Sequence, residues 1–313
     1  MQPPPLPPDP DAIIDRRRLK RQITAWRILA IVMALAAVGA LVGRLGLYAG
    51  RDHVAVLTVA GIISSDNDRA RALRKLADDD HAKALVVRID SPGGTVVGGE
   101  GLFQEIRAVA AHKPVVAVMG DMAASGGYMV ALAADHIIAR QGTITGSIGV
   151  ILQTADVTGL LAKIGVEPEA IKSAPLKAVP SPLEKLTPEG RAATQALVND
   201  MYDMFQQMVA SRRNLPADRV HQLADGRAYT GREALAAGLI DQLGGEPEAR
   251  AWLATKGVPA SLPARKLEIQ REDEFWSSMA DSMVHALFGK TYLSERLTLD
   301  GLVALWHPDI GTR

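Results

Sequence analysis

Apolar positions along the chain alternate between long uninterrupted runs and helically spaced stripes. Residues 54–59, Val54-Ala55-Val56-Leu57-Thr58-Val59, predict a strand ended by Gly61. Residues 68–77 are polar, with Leu73 and Leu76 on one helical face. Residues 84–90 predict a second strand, continuous enough to be buried on both faces, which stops at Ser91-Pro92-Gly93-Gly94. A helix over 98–111 follows, then a third strand over 114–119. A glycine-rich turn from Gly120 to Gly127 leads into a small-residue helix over 128–134, and residues 136–139 predict a fourth strand. The glycine-spaced residues 143–150 read as short strand and turn. Strands alternating with helices of this size imply βαβ units and a mostly parallel sheet, an α/β fold whose sites lie at the carboxyl ends of the strands. Both glycine-rich turns fall at such ends and can face each other.

The second half is more helical. Residues 172–182 are broken by proline and read as a loop over the sheet edge. Thr187-Pro188-Glu189 is a helix start, with a capping hydroxyl, proline at the first position and an acid behind it. Leu197, Met201, Phe205, Met208 and Val209 then recur at helical spacing, a stripe suited to core or a subunit interface. Shorter helices are predicted over 217–224 and 231–237. Phe275, Met279, Met283 and Leu287 form another stripe in a helical extension over 264–313, fit to pack on a neighbour or touch a membrane.

The N-terminus has a different character. Residues 1–12 are proline-rich, and Arg16, Arg17, Arg18, Lys20, Arg21 and Arg27 form a basic cluster, together a cytoplasmic arm over 1–27. Residues 28–43 carry no charge, and 28–48 read as one membrane-spanning anchor, with Trp26 and Tyr48 at the interfaces. The basic flank puts the N-terminus in the cytoplasm and residues 52–263, the catalytic domain, outside it. A signal peptide cut near Ala49-Gly50, or a buried core helix, are the competing readings.

Composition narrows the chemistry. Lys+Arg and Asp+Glu are both 35, which gives no reason to expect nucleic acid as a partner, and aromatics at 4% offer no stacking platform. The absence of cysteine excludes disulfides, thiolate metal sites and a cysteine nucleophile. Ser125, at a strand–turn–helix junction, is presented as a nucleophile would be, or is simply a helix N-cap. A serine nucleophile needs a base. None of the seven histidines (His53, His81, His112, His136, His221, His285, His307) has a site-like setting. A lysine serves if it is buried away from acids, because a free amine, with a pKa of about 10.4, is protonated at neutral pH. Lys172 and Lys177 lie in a segment with no acid between Glu169 and Glu184. Backbone amides at Gly126 and at Gly93 or Gly94 can point to one spot in front of Ser125 and form an oxyanion hole.

Asp90-Ser91-Pro92-Gly93-Gly94, Ala124-Ser125-Gly126-Gly127-Tyr128, Thr145-Gly146-Ser147-Ile148-Gly149-Val150, Gly226-Arg227-Ala228-Tyr229-Thr230-Gly231, Gly238-Leu239-Ile240-Asp241 and Leu243-Gly244-Gly245 occur in that order. Together they resemble the signal peptide peptidase A family of membrane-bound serine proteases, in its short form. The resemblance covers residues 54–245. It implies a crotonase-like, Clp-protease-like fold of repeated ββα units, with Ser125 as nucleophile, Lys177 rather than Lys172 as general base, and Ser147 orienting that lysine. It also implies signal peptides and other apolar peptides as substrates, a ring- or dome-shaped homo-oligomer, and no metal or other cofactor. The implied location is the bacterial inner membrane, held through residues 28–48, with the catalytic domain on the periplasmic side. The lysine loop departs from the family pattern, with Ala174-Pro175 in place of a glycine-led turn and Ala178 where an acid is common. An acyl-CoA enzyme of the same fold, or a non-catalytic membrane scaffold, are the alternative readings.

Overall fold

The computed structural model describes residues 23–35, 51–269 and 303–305. The chain divides into two units, Met1–Arg51 and Asp52–Arg313. In the first, residues 23–35 form helix α1, whose large apolar side chains are exposed, Trp26 and Leu35 most of all. At 1.5 Å per residue such a helix rises about 20 Å, short of the roughly 30 Å of a bilayer core. No described helix is long and apolar enough to cross a membrane. The rest of the expected span, residues 36–48, lies outside the described residues.

The second unit is built on one sheet. Strands β1 (His53–Ile63), β2 (Ala82–Thr95) and β3 (Val115–Ala124) form its parallel centre, joined by helices α2 (Asn67–Ala77) and α3 (Val96–Ala110). Helix α4 (Gly126–Leu132) leads to β4 (His136–Ala139) and β5 (Ile144–Gly146). After α5 (Thr158–Lys163), α6 (Pro188–Arg213) and α7 (Ala217–Leu223) come β6 (Ala228–Thr230), α8 (Gly231–Ala236), β7 (Gln242–Leu243), α9 (Glu246–Thr255) and β8 (Ala264–Lys266). The main strand order is β6-β5-β3-β2-β1-β8, with β4 between β3 and β7. A last strand, β9 (Val303–Leu305), pairs antiparallel with the end of β2.

The period-two pattern of buried strands explains two cores. Ala55, Leu57, Val59, Leu85, Val87 and Ile89 face α2, α3, α4 and α6 in the larger cluster. The alternate residues Val54, Val56, Ala84, Val86, Val116 and Ile138 pack against Ala249 and Leu253 of α9 in the smaller one. Both faces of the first half of the sheet are therefore buried, which is why these strands read as unbroken apolar runs. On the second face the cover ends early, and Thr58, Arg88 and Asp90 are exposed.

Three expectations change. Strands β2 and β3 do not stop before their glycine turns but run through them, β2 to Thr95 and β3 to Ala124. Glycine ends a run of side chains, not the backbone ladder: Gly93 and Gly94 still pair with Ile62 and Ile63 of β1. Residues 264–266, expected as the start of a helical extension, are instead an edge strand parallel to β1, and residues 303–305 are also a strand; residues 270–302, with the Phe275 stripe, lie outside the described residues. Along α6, Phe205 and Val209 are fully buried while Leu197 is exposed, so that stripe is core only in its C-terminal half.

Candidate active site

Strand β3 changes neighbours halfway. Val116–Val118 pair with β4, and Met122–Ala124 pair with β5. The bend between lies at Gly120, whose carbonyl accepts from Thr143 Oγ at 2.8 Å. On the other side β2 and β3 shift register after Ile89, and the Asp90 carboxylate accepts the Met122 N–H at 3.1 Å in the gap. The bend carries the end of β3 to Ser125.

Ser125 sits at φ 53°, ψ −116°, a conformation that non-glycine residues rarely adopt. Its N–H donates to the Gly146 carbonyl at 2.8 Å, and its own carbonyl accepts from Tyr128 and Met129 at 2.9 and 3.0 Å, opening α4. The side chain does not cap the helix. The N-cap reading therefore holds for the backbone and fails for the hydroxyl, which has no hydrogen-bond partner among the described residues. A strained serine whose side chain does not cap its helix is a geometry from which a hydroxyl can be presented. Gly126, the first residue of α4, has an N–H without an intrahelical acceptor. The helix behind is buried throughout, anchored by Tyr128, whose hydroxyl donates to Leu239 O at 2.8 Å; burial pushes that phenol up, far above its ordinary value.

Ser147 is brought beside Ser125. The parallel pairing of Ala124 with Gly146 places the two serines one step further along adjacent strands. Ser147 is buried, also at positive φ (48°), and its N–H donates to Arg227 O at 2.9 Å. This gives the Gly226–Gly231 segment its place. Strand β6 edges β5, and the Tyr229 ring packs so close that a Cβ on Gly146 would lie 2.5 Å from it.

The end of β2 lies on the other side. Ser91, opposite Ala123 of β3, is fully buried, and its hydroxyl donates to Gly61 O at 2.6 Å. The Gly93 N–H donates to Ser91 Oγ at 3.1 Å. Gly94 is pressed on β1, where a Cβ would fall 1.9 Å from Ile63 O. Strand β9 lies antiparallel along Gly93, Gly94 and Thr95. The sequence places Ser91 in the glycine-rich turn that faces the Ser125 turn and assigns its side chain no role; its lead was the position, the last residue before a Pro-Gly-Gly at a strand end.

Lys177 lies outside the sheet whose third strand leads to Ser125. It lies in the arm 151–187, exposed along most of its length, with Ile171, Leu176 and Leu183 open to solvent. Its backbone N–H donates to Ala174 O at 3.1 Å, and the next residue, Ala178, is at φ 59°. No described hydrogen bond or ion pair engages its amine. Lys172, by contrast, is ion-paired with Glu184, which the fold returns to it across the loop. The described histidines of the sheet region lie away from Ser125. His53, His81 and His112 are at or before the starts of β1, β2 and β3, and His136 opposite Val116 is stacked on Trp252 at 5.0 Å. Among the described residues no cluster of acids and histidines could hold a metal.

A family model described as peptidase family S49 matches residues 107–258. A putative protease of Synechocystis is 43% identical over 221 residues, covering 70% of this chain and 78% of that protein. The chloroplastic serine protease SPPA of Arabidopsis thaliana is 32% identical over 274 residues, 83% of this chain but 40% of the plant protein. Among solved structures, a ClpP1 mutant from Listeria monocytogenes matches with a TM-score of 0.40 at 16% identity, over 61% of this chain and 91% of that one.

Proposed function

Because the chain belongs to peptidase family S49, the signal peptide peptidase A family, and is a serine peptidase, we propose that Ser125 is its nucleophile and Lys177 its general base in an endopeptidase. The observation that carries the reading is Ser125 itself: a buried, strained serine at a strand–helix junction, whose hydroxyl has no hydrogen-bond partner among the described residues. Ser125 Oγ attacks a peptide carbonyl as Lys177 takes its proton, and Lys177 then gives a proton to the leaving amine. Lys172 is the poorer candidate because its amine is already engaged by Glu184. Ser147 orients the lysine from the neighbouring strand. The oxyanion is held by the amides of Gly126 and Gly94. Gly93 has its N–H turned to Ser91, which leaves Gly94 as the donor from this turn.

The exposed arm carrying Lys177 must be covered for that amine to lose water. A homo-oligomer of ring or dome form supplies the cover, with Ile171, Leu176 and Leu183 in the contact. Substrates are extended apolar peptides, remnant signal peptides among them, paired as a strand along Gly93–Thr95 where β9 lies. The exposed apolar side chains of α1 suit lipid, so residues 28–48 anchor the chain in the inner membrane with the catalytic unit on the periplasmic side. The fold is of the crotonase and Clp-protease kind.

The test is cleavage of a signal-like apolar peptide by the full chain in detergent. Ser125→Ala and Lys177→Ala should each lower kcat/KM by about three orders of magnitude or more, and His136→Ala by less than about twofold. Either dyad variant cleaving at the wild-type rate would refute the assignment.

A further inference from the structure

Ser91 has no part in the proton transfers above, yet it is a fully buried polar side chain within the site's framework. Its hydroxyl has one proton and two carbonyls within reach, Gly61 O at 2.6 Å and Gly93 O at 3.3 Å; the shorter contact claims it, at the bulge where β1 loses register with β2. The same oxygen accepts the Gly93 N–H at 3.1 Å, folding the Pro92-Gly93 turn back on the strand it leaves. Its backbone carbonyl is the surface on which the serine's helix rests, since a Cβ on Gly127 would come within 2.8 Å of it. One residue thus joins the end of β1, the glycine turn and the start of α4.

We propose that Ser91 is the positioning residue of the oxyanion hole. By holding the Gly93 N–H away from the reaction it turns the Gly94 amide toward the carbonyl oxygen attacked by Ser125. It also fixes the distance between that amide and Gly126. This rests on Ser125 being the nucleophile. The physical reason for a hydroxyl here is that two backbone groups of opposite polarity, a carbonyl and an N–H, meet at one buried point. Serine is the smallest side chain that donates to one and accepts from the other. Alanine would leave both unpaired and the turn free to rotate. Oxyanion donors act only at the position the oxygen takes in the transition state, so a misplaced turn slows chemistry before it weakens binding.

The experiment compares wild type, Ser91→Ala and Ser91→Cys in the full chain, with Ser125→Ala as reference. A thiol is somewhat larger than a hydroxyl but fills the site and is a weak donor and acceptor, so Ser91→Cys carries the same expectation should Ser91→Ala not fold. The expected result is a fall in kcat of about tenfold or more with KM within about twofold. Affinity for a peptide aldehyde, whose adduct places an oxyanion in the hole, should fall in parallel. Binding of the uncleaved peptide, measured in the Ser125→Ala background with and without Ser91→Ala or Ser91→Cys, should be unchanged. Unaltered kcat and aldehyde affinity would overturn the proposal. So would an equal loss of aldehyde and ground-state peptide binding, which a merely structural role gives. If Ser125→Ala itself cleaves normally, the nucleophile assignment fails instead, a result separable from either of these.

Discussion

Adding one methyl group at three glycines should give three graded outcomes set by what each Cβ meets. At Gly101, inside α3, a Cβ meets nothing within 4 Å. Gly101→Ala should therefore stabilise the protein by about 0.5–1 kcal/mol through helix propensity and leave cleavage unchanged. At Gly127 the Cβ would lie 2.8 Å from the Ser91 carbonyl, so α4 must lift by several tenths of an ångström and take Ser125 with it. Gly127→Ala should cost about 1–3 kcal/mol and slow turnover about tenfold. At Gly94 the Cβ would be 1.9 Å from Ile63 O and 2.5 Å from Ile63 N, backbone atoms of a central strand that no rotamer change can relieve. The turn must then leave β1 by more than an ångström. Gly94→Ala should lose about 10²–10³ in kcat, the loss typical of removing an oxyanion donor. Thermal unfolding and initial cleavage rates of the three variants are the assay. For a domain of this size the Gly101→Ala gain is a Tm rise of about 1–4 °C. Wild-type turnover in Gly94→Ala, or the reverse order of Gly94→Ala and Gly127→Ala, would refute the account of how the two turns face each other.

Other expectations follow from single contacts. Phe205→Ala empties a fully buried position in α6 and should cost about 3–5 kcal/mol, read as a lower Tm. Lys172→Met removes only the ion pair with Glu184 and should leave kcat/KM within about twofold; a loss as large as that of Lys177→Ala would reassign the base. The Gly245 N–H, and after it Glu248's own N–H, hold the Glu248 carboxyl below its ordinary 4.5. A depressed carboxylate stabilises fully above the unfolded value and loses that contribution as pH falls through the folded one. The Tm gap between wild type and Glu248→Gln should thus be present at pH 7 and fade below about pH 4.

The alternation of strand and helix, and with it the α/β class, was legible because strands buried on both faces read as unbroken apolar runs between polar helices. Residues 136–139, the start of α6 at Thr187-Pro188 and the placement of Ser125 between β3 and α4 were read to within a residue or two. Glycine misled at Gly93-Gly94 and Gly120. There it permits close packing and bending within a continuing strand, and a one-dimensional pattern cannot tell that from a stop. Helix α9 went unread since its buried face is only Ala249 and Leu253, with Trp252 partly covered. The nearness of Ser147 to Ser125 is a matter of register, set by Ala124 opposite Gly146, and motif resemblance alone pointed to it. Lys172 shows the limit of reading charge along the chain. Its segment is free of acids in sequence, yet the loop brings Glu184 back to it.

The central claim is that Ser125 Oγ forms the bond to substrate. Full-length protein turning over an apolar peptide ester, quenched in acid and digested, can be searched by mass spectrometry for the acylated residue. The acyl mass is expected on the peptide carrying Ser125, absent in Ser125→Ala, with hydrolysis lost in that variant. An acyl group on any other residue, or Ser125→Ala protein that still turns over at the wild-type rate, would contradict the account.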